Sequence, residues 1–425
     1  MTAIIGGGVA GLTAAIRLAE KTGQNIHLFE ASPTLGGRTR SFVDQTTGQW
    51  CDNGPHLLIG AYTATQRLLN DCGAAHHIQW QKSLELPLWD ENRGYFHLKP
   101  HACLPLPISM MIALGYLPNH GISSAAALIK LVSKKPASPT QSVSQWLAPL
   151  QISASLIRDF IEPLCLGAMN EYPATAPALS FQRVLHESFA NHQSARLGWF
   201  NQPLSKAFIE PLREKAKSLG VNIHTSTGIR SVLSEKQGVR LAWNTGSGHF
   251  SRVIFATPAW ATHRLLGLTS QIQTRPITNI HLWFDRHVCL GQSNRQPLLG
   301  GIGTMGQWYF DVTSQMQESS ELQHIAVVIS ADSINPRDDQ LIPSLTHELE
   351  KISGASHPLR PVHSRVIQEK KATVLTRAHE ATFQEPHRWM IDASEYPVPG
   401  DLPATIETAV QRGEQAARLY LMSQK

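Results

Sequence analysis

The sequence predicts an α/β fold: a Rossmann-like dinucleotide-binding domain joined to a second domain, giving an α+β chain overall. Two observations carry this. The chain opens on a short apolar strand, Ala3 to Ile5, that runs into Gly6-x-Gly8-x-x-Gly11 and an alanine-rich helical stretch; a second strand, Ile26-His-Leu-Phe29, then ends on Glu30. Strand, glycines, helix, strand and acid stand in the order and spacing of a dinucleotide-binding βαβ unit. The length, 425 residues, also exceeds what one simple core takes up, so two domains are expected.

Each element of the opening unit has a physical task. Gly6 permits the tight turn, Gly8 lets backbone approach a pyrophosphate, and Gly11 lets helix and strand pack closely. The first helical turn, with Ala10 and Gly11, presents unpaired N–H groups and a partial positive charge to phosphate. Glu30 can accept hydrogen bonds from a ribose 2′-OH, and its charge disfavours a 2′-phosphate. Ala31 follows, and then Gly36-Gly37-Arg38-Thr39-Arg40. A plain NAD domain would continue into another crossover helix. Here a second glycine pair and two phosphate-neutralising arginines come at once, which narrows the dinucleotide to FAD.

This arrangement resembles the two-dinucleotide-binding-domain flavoproteins: amine oxidases, protoporphyrinogen oxidase and carotenoid desaturases. The resemblance recurs at Val221-Asn-Ile-His224, at Thr227-Gly-Ile229, at Val253-Ile-Phe-Ala256-Thr-Pro258, and at Ala393-Ser-Glu395-Tyr396 with Leu402-Pro403-Ala404-Thr405-Ile-Glu407. It implies that a backbone group near Ile229 faces the adenine and that the helix after Pro403-Ala404-Thr405 points its N-terminus at the flavin. Where these proteins usually carry Ala-Gly-Asp, this chain has Ser394 and Glu395, a carboxylate one methylene longer. The implied architecture is amine-oxidase-like, with an FAD domain built discontinuously from residues 1–80, 199–268 and 369–425. A substrate domain spans 81–198 and 269–368, with Pro136-Ala-Ser-Pro139 as a linker candidate within it.

Asp52-Asn53-Gly54-Pro55-His56-Leu-Leu-Ile-Gly-Ala-Tyr62 is similar to the Asp-Asn-Gly-x-His-Leu-Leu-x-Gly-Ala-Tyr signature of bacterial hydroxysqualene dehydroxylases, long labelled squalene-associated FAD-dependent desaturases. Glu162-Pro-Leu-Cys165, Asn170, Ser180 and Val184-Leu185, then Gly306 to Asp311 and Glu369 to Thr373, match further stretches of that family. The resemblance implies conversion of hydroxysqualene to squalene on the route to hopanoids and related triterpenes. The allylic hydroxyl is protonated and lost as water, and reduced flavin N5 delivers hydride.

His56 is the first candidate for the proton donor, since histidine can be charged near neutrality. The alternative is a histidine that only hydrogen-bonds the flavin or the loop. Asp52 either orients His56 or, by preference, caps the turn; Asn53 and Gly54 are expected at the flavin edge. Asn170 and Cys165 are second-line cavity candidates, Cys165 by preference a packed thiol. Trp283, Trp308 and Tyr309 either stabilise a cation through their π faces or fill the core.

Formal net charge is +5, without a lysine–arginine block, which argues against a nucleic-acid partner. Five cysteines, odd in number and widely spaced, suggest reduced cytosolic thiols. His76-His77 lack ligand spacing and read as loop, so no metal is expected. The chain opens on its first strand, which predicts no signal peptide and a cytoplasmic protein. Between Lys99 and Lys130 there is no charged side chain, and Leu104 to Leu117 is strongly apolar, broken by Pro105, Pro107 and Pro118. That stretch reads either as a greasy mouth resting on the inner face of the membrane, admitting a polyprenyl substrate, or as a pair of buried helices. No second nucleotide motif is visible, so the electron donor stays open. The other readings are a carotenoid-type desaturase, an amine oxidase using Lys370 or Lys371, and a flavin-free isoprenoid carrier of the Rab GDP-dissociation-inhibitor kind, which the phosphate-binding set opposes.

Overall fold

The computed structural model describes residues 1–425 apart from 118–119, 271, 292–296, 317–319, 332–333, 376–386, 397–399 and 424–425, and the backbone alone of Lys134. Pro118 of the apolar stretch therefore lies outside the described residues.

The nucleotide-binding layer is a five-stranded sheet in the order Asn222–His224, Ile26–Phe29, Thr2–Ile5, Arg252–Phe255, Met390–Asp392, parallel at every pairing. Strands covered on both faces read as unbroken apolar runs, and Thr2–Ile5 is buried throughout. The helices Val9–Thr22 and Ile406–Met422 cover one face together, in the cluster containing Ile4, Leu12, Ile16 and Val410. They approach so closely at Gly413 that a Cβ there would meet the Ala10 carbonyl oxygen at 2.4 Å. A three-stranded antiparallel meander, Ile229–Glu235, Gly238–Trp243 and Gly246–Phe250, covers the other face, where Val239, Leu241 and Phe250 pack on Ala3, Ile5 and Phe29.

The second layer is a seven-stranded mixed sheet in the order His363–Val374, Thr274–Phe284, Gln323–Ser330, Trp308–Asp311, Leu298–Ile302, Leu86–Asp90, Gly94–Leu98. One face carries the helix Leu341–Ser353, packed through Leu341, Leu345 and Leu349. The other carries a helical cluster that includes Leu106–Gly115, Ile122–Lys134 and Ala178–Ser188. The chain between Gly94–Leu98 and Leu197–Phe200 is largely helical, and the α/β fold class stands.

Two local expectations differ, and for Trp283 and Tyr309 one of the two alternatives is favoured. Pro136–Pro139 is no free linker. The Gln182 side chain accepts from the Ala137 N–H at 2.8 Å and donates to the Lys135 carbonyl at 3.1 Å, pinning the segment to the helix Ala178–Ser188. His77 ends a single 3₁₀ turn, Ala75–His77, its ring against that of His76. Trp283 and Tyr309 are fully buried. The Trp283 indole donates to Gln49 Oε1 and the Tyr309 hydroxyl to Glu348 Oε2, so each holds the core.

Candidate active site

The opening glycines build a cradle. Gly6 has φ +111°, and a Cβ there would sit 2.5 Å from the Ala256 carbonyl oxygen. A Cβ on Gly11 would meet the Gly6 oxygen at 1.9 Å, so the helix rests directly on the turn. Gly8 is the N-cap and no side chain caps the helix; a Cβ on Gly8 would meet nothing within 4 Å. An uncapped 14-residue helix beginning at an open glycine is the geometry that receives phosphate. The second glycine turn closes over it. The Gly36 N–H donates to the Gly7 carbonyl at 2.9 Å, and Gly36, at φ +107°, would clash with the Thr39 oxygen were it any other residue. A Cβ on Gly37 would sit 3.5 Å from Gly8 Cα.

Glu30 lies at the end of its strand. Its Oε2 accepts from the Gly7 N–H at 2.7 Å and its Oε1 from the Ser32 N–H at 2.8 Å. A carboxylate oriented by two backbone donors keeps lone pairs for a ribose hydroxyl. Ala31 is exposed beside it and faces Gly228, while the Thr227 N–H donates to the Glu30 carbonyl, so Ile229 comes to the same end of the sheet. These residues fit a dinucleotide.

Arg38 differs from expectation. The sequence predicts a phosphate-neutralising side chain; its Nη2 donates to Glu395 Oε2 at 2.6 Å and its Nη1 to the Ala372 carbonyl. The carboxylate that stands for the usual Asp thus holds this guanidinium, whose pKa rises chiefly through the charge of Glu395. Glu395 also lines a cavity with Pro403, Ala404, Thr373 and Arg412. Thr405 caps the C-terminal helix by accepting from the Thr408 N–H at 3.2 Å.

A second cavity is lined by Asp52, Pro55, His56, Trp199, His281 and His324 among others. The signature segment therefore does form a cavity wall. Gly54 packs on Asn279, whose side chain donates to the Asn53 carbonyl at 3.0 Å, and the Asn53 N–H donates to the Arg40 carbonyl. Burial, and then the charge of Arg38, push His56 down to about 4. The imidazole is neutral at pH 7, which corrects its reading as a charged proton donor: the apolar wall disfavours the cation. Asp52 behaves oppositely. Burial pushes its carboxyl up to about 7, although Oδ1 accepts from the Ser41 hydroxyl at 2.5 Å and the Leu204 N–H at 3.1 Å. These bonds place Asp52 at the start of the helical segment beginning at Ser205, a capping task, and not on His56.

Asn170 is also corrected. It ends the helix Glu162–Met169 at φ 55°, its Nδ2 donates to Pro276 O and Thr373 Oγ1, and its Oδ1 accepts from the Ala331 N–H. With every polar atom engaged it ties the helix to the sheet, leaving nothing for catalysis. Cys165 is buried and burial raises its thiol, so it is a packed thiol. Lys370 and Lys371 are exposed, Lys371 lying over the Trp260 ring at 3.9 Å, away from an amine-oxidase role.

Sequence reasoning missed one cluster. Cys51, His281 and His324 are buried with one donor atom each inside 4.8 Å of one another. They come from three strands, so no sequence spacing signals them. The set resembles three of zinc's four ligands in kind. The side chains are already engaged, however. His281 Nδ1 and His324 Nε2 bond each other at 2.8 Å, burial keeps both rings neutral, and burial raises the Cys51 thiol, which turns to the Asp52 carbonyl.

The model of the flavin-containing amine oxidoreductase family matches residues 9–419, and the chain belongs to that family. It is an FAD-dependent oxidoreductase with the amine-oxidase-like fold. Among curated proteins it is similar to the hydroxysqualene dehydroxylase of Zymomonas mobilis, 25% identical with 99% of each chain covered. It is likewise similar to that of Rhodopseudomonas palustris, 27% identical over 98% of this chain and 97% of the relative. Among solved structures, a putative protoporphyrinogen oxidase from Exiguobacterium sp. superposes with a TM-score of 0.71 at 15% identity, covering 99% of this chain and 98% of that one. Among the described residues no helix is long and apolar enough to cross a membrane.

Proposed function

We propose that the protein reductively dehydroxylates hydroxysqualene to squalene in hopanoid or related triterpenoid formation. The observation that carries this is the segment from Asp52 to His56, whose Asp52, Pro55 and His56 line a cavity in a chain similar from end to end to hydroxysqualene dehydroxylases. Gly6, Gly8, Ala10, Gly11, Glu30, Gly36 and Gly37 hold the dinucleotide, and Glu395, Pro403 and Ala404 meet its far end. Reduced FAD, when bound, supplies the hydride.

The chain's own task is to ionise an allylic alcohol, which needs a proton on the leaving oxygen. Asp52 lies in the cavity wall, where burial pushes its carboxyl up to about 7, so that a large share of the molecules carry that proton at neutral pH and can give it to the leaving oxygen. Neutral His56 beside it orients the hydroxyl by a hydrogen bond. Trp199, Phe200, Val312 and Met316 complete an apolar wall that keeps water from the cation.

The test mixes anaerobically reduced holoenzyme with hydroxysqualene in detergent and seeks squalene by gas chromatography–mass spectrometry while flavin absorbance is followed. Squalene formed in step with flavin reoxidation supports the assignment. Flavin that stays reduced, with no squalene, excludes it and directs assays to oxidised enzyme with polyprenyl or amine substrates.

A further inference from the structure

The helix Leu106–Gly115 contains no charged residue on any face, only Leu, Pro, Ile, Ser, Met, Ala and Gly. A helix that is apolar all round belongs inside a protein or in lipid. Only one of its faces is inside: Leu106, Met110 and Leu114 are buried with the substrate-layer core. On the opposite face Ile108 is 47% exposed, and Ile112, one turn on, is half-buried. The patch continues at both ends of the helix, through Leu104 at 38%, Tyr116 at 81% and Ile122 at 57%. Ile122 closes against it, since a Cβ on Gly115 would meet Ile122 Cγ1 at 2.7 Å. Four of the twelve exposed large apolar side chains among the described residues thus fall in one helix–turn–helix corner.

The charge around this corner is one-sided. No Asp or Glu occurs between Glu91 and Asp159, a stretch that carries Arg93, Lys99, Lys130, Lys134, Lys135 and Arg158. Arg93 and Arg158 are held by the buried carboxylates Asp159 and Asp90, and Lys99 by Glu85. Lys130 and Lys135 are exposed near the end of the helix Ile122–Lys134 and, among the described residues, pair with no carboxylate. An apolar patch whose own stretch of chain, from Arg93 to Arg158, carries cations and no anion is complementary to an anionic lipid surface. At ten residues the helix is far too short to span a bilayer, so any lipid contact it makes is with the interface.

We propose that this corner, through Leu104, Ile108, Tyr116 and Ile122 with Lys130 and Lys135, is a peripheral docking site for an anionic lipid bilayer. Its buried side packs in one cluster with Leu57, Ile59 and Trp199, and Trp199 lines the cavity that holds His56. Apolar side chains therefore run without interruption from the lipid-facing surface to the cavity wall. The docking reading is independent of which substrate the enzyme takes.

The experiment is co-sedimentation of the FAD-loaded full chain with vesicles of phosphatidylcholine alone and of phosphatidylcholine mixed with phosphatidylglycerol, at low and high salt. The wild type is expected to pellet with the phosphatidylglycerol vesicles and to be released by salt. Lys130→Ala should weaken that binding by roughly fivefold, the effect of one juxtamembrane cation. Ile108→Glu and Tyr116→Glu, both at exposed positions, should abolish it while flavin absorbance and thermal midpoint stay as in the wild type. A wild type that remains in the supernatant with both vesicles overturns the proposal. So does an Ile108→Glu variant that binds vesicles normally but elutes as a smaller species on gel filtration, because the patch would then be covered by a second copy of the chain.

Discussion

Arg38 and Glu395 are joined across 357 residues of sequence by an ion pair, with Nη2 and Oε2 2.6 Å apart. The pair stands between the two cavities of the site. Glu395 is in the wall of one, and the Arg38 charge acts on His56 in the wall of the other. It therefore links the second glycine turn to the C-terminal segment expected to meet the flavin. Glu395→Ala should release the Arg38 guanidinium and weaken flavin binding by roughly 10- to 100-fold, the usual worth of a charge-assisted hydrogen bond. Flavin fluorescence on titration of the apoprotein measures this. Unchanged affinity would mean that the pair only fastens the chain.

The parts legible in the sequence were those whose physics is local. Gly6, Gly8 and Gly11 declare themselves because turn, open approach and close packing fall within six residues. The Asp52 to His56 segment likewise brings Asp52, Pro55 and His56 to one cavity wall from within five residues. What stayed hidden depends on partners distant in sequence. Asn170 looked catalytic because its type and place allowed it, and only the fold shows Pro276, Thr373 and Ala331 using every polar atom it has. His56 looked like an acid because an isolated histidine titrates near neutrality; burial and Arg38 remove that property. The Cys51–His281–His324 cluster comes from three strands with no periodic relation.

Glu407 illustrates the same limit and gives a stability test. Its buried carboxylate accepts from the Ala64 N–H at 2.9 Å, the Thr65 N–H at 2.8 Å and the Thr65 hydroxyl at 2.7 Å, and so caps the helix Thr63–Asp71 from the far end of the chain. Charge-assisted bonds at a helix N-terminus add to the favourable dipole interaction. Glu407→Ala is expected to cost about 3 kcal/mol, leaving two helix N–H groups buried without partners. Urea unfolding followed by circular dichroism would register it, and a loss under about 0.5 kcal/mol, the scale of a plain surface change, would refute the capping role.

The buried histidine pair predicts acid sensitivity. Burial holds His281 near 4 and His324 well below its ordinary value, so both are neutral in the folded state. Unfolded histidine takes up a proton below about 6.5. Their contribution is therefore fully present above pH 6.5 and lost as pH falls toward 4, by at most about 1.4 kcal/mol per pH unit for each ring. A His281→Leu/His324→Leu variant should show a flatter decline of urea midpoint between pH 6.5 and 4.5 than the wild type. Equal slopes would mean that the pair does not govern acid unfolding.

Asp52 has the opposite sign. Its carboxyl keeps its proton to about 7 in the folded state, whereas the unfolded chain releases it near 3.8. As pH rises from 4 to 7 the unfolded state gains an ionisation that the fold resists, so Asp52 costs stability increasingly over that window and by a constant amount above it. The ceiling is about 4 kcal/mol, reduced by any water reaching the half-buried group. Asp52→Asn retains an oxygen for the Ser41 hydroxyl and the Leu204 N–H but has no proton to lose. Its thermal midpoint relative to wild type should climb from pH 4 to pH 7 and then level off. If Asp52 supplies the proton for loss of the allylic hydroxyl, the same change should lower kcat by roughly 10²- to 10⁴-fold, the usual worth of a general acid. Wild-type kcat/KM should in turn fall about tenfold per pH unit above 7. A variant that is stabilised as described yet keeps full activity and the wild-type pH profile would separate the two roles, leaving Asp52 as a cap and moving the proton to another group in the cavity wall.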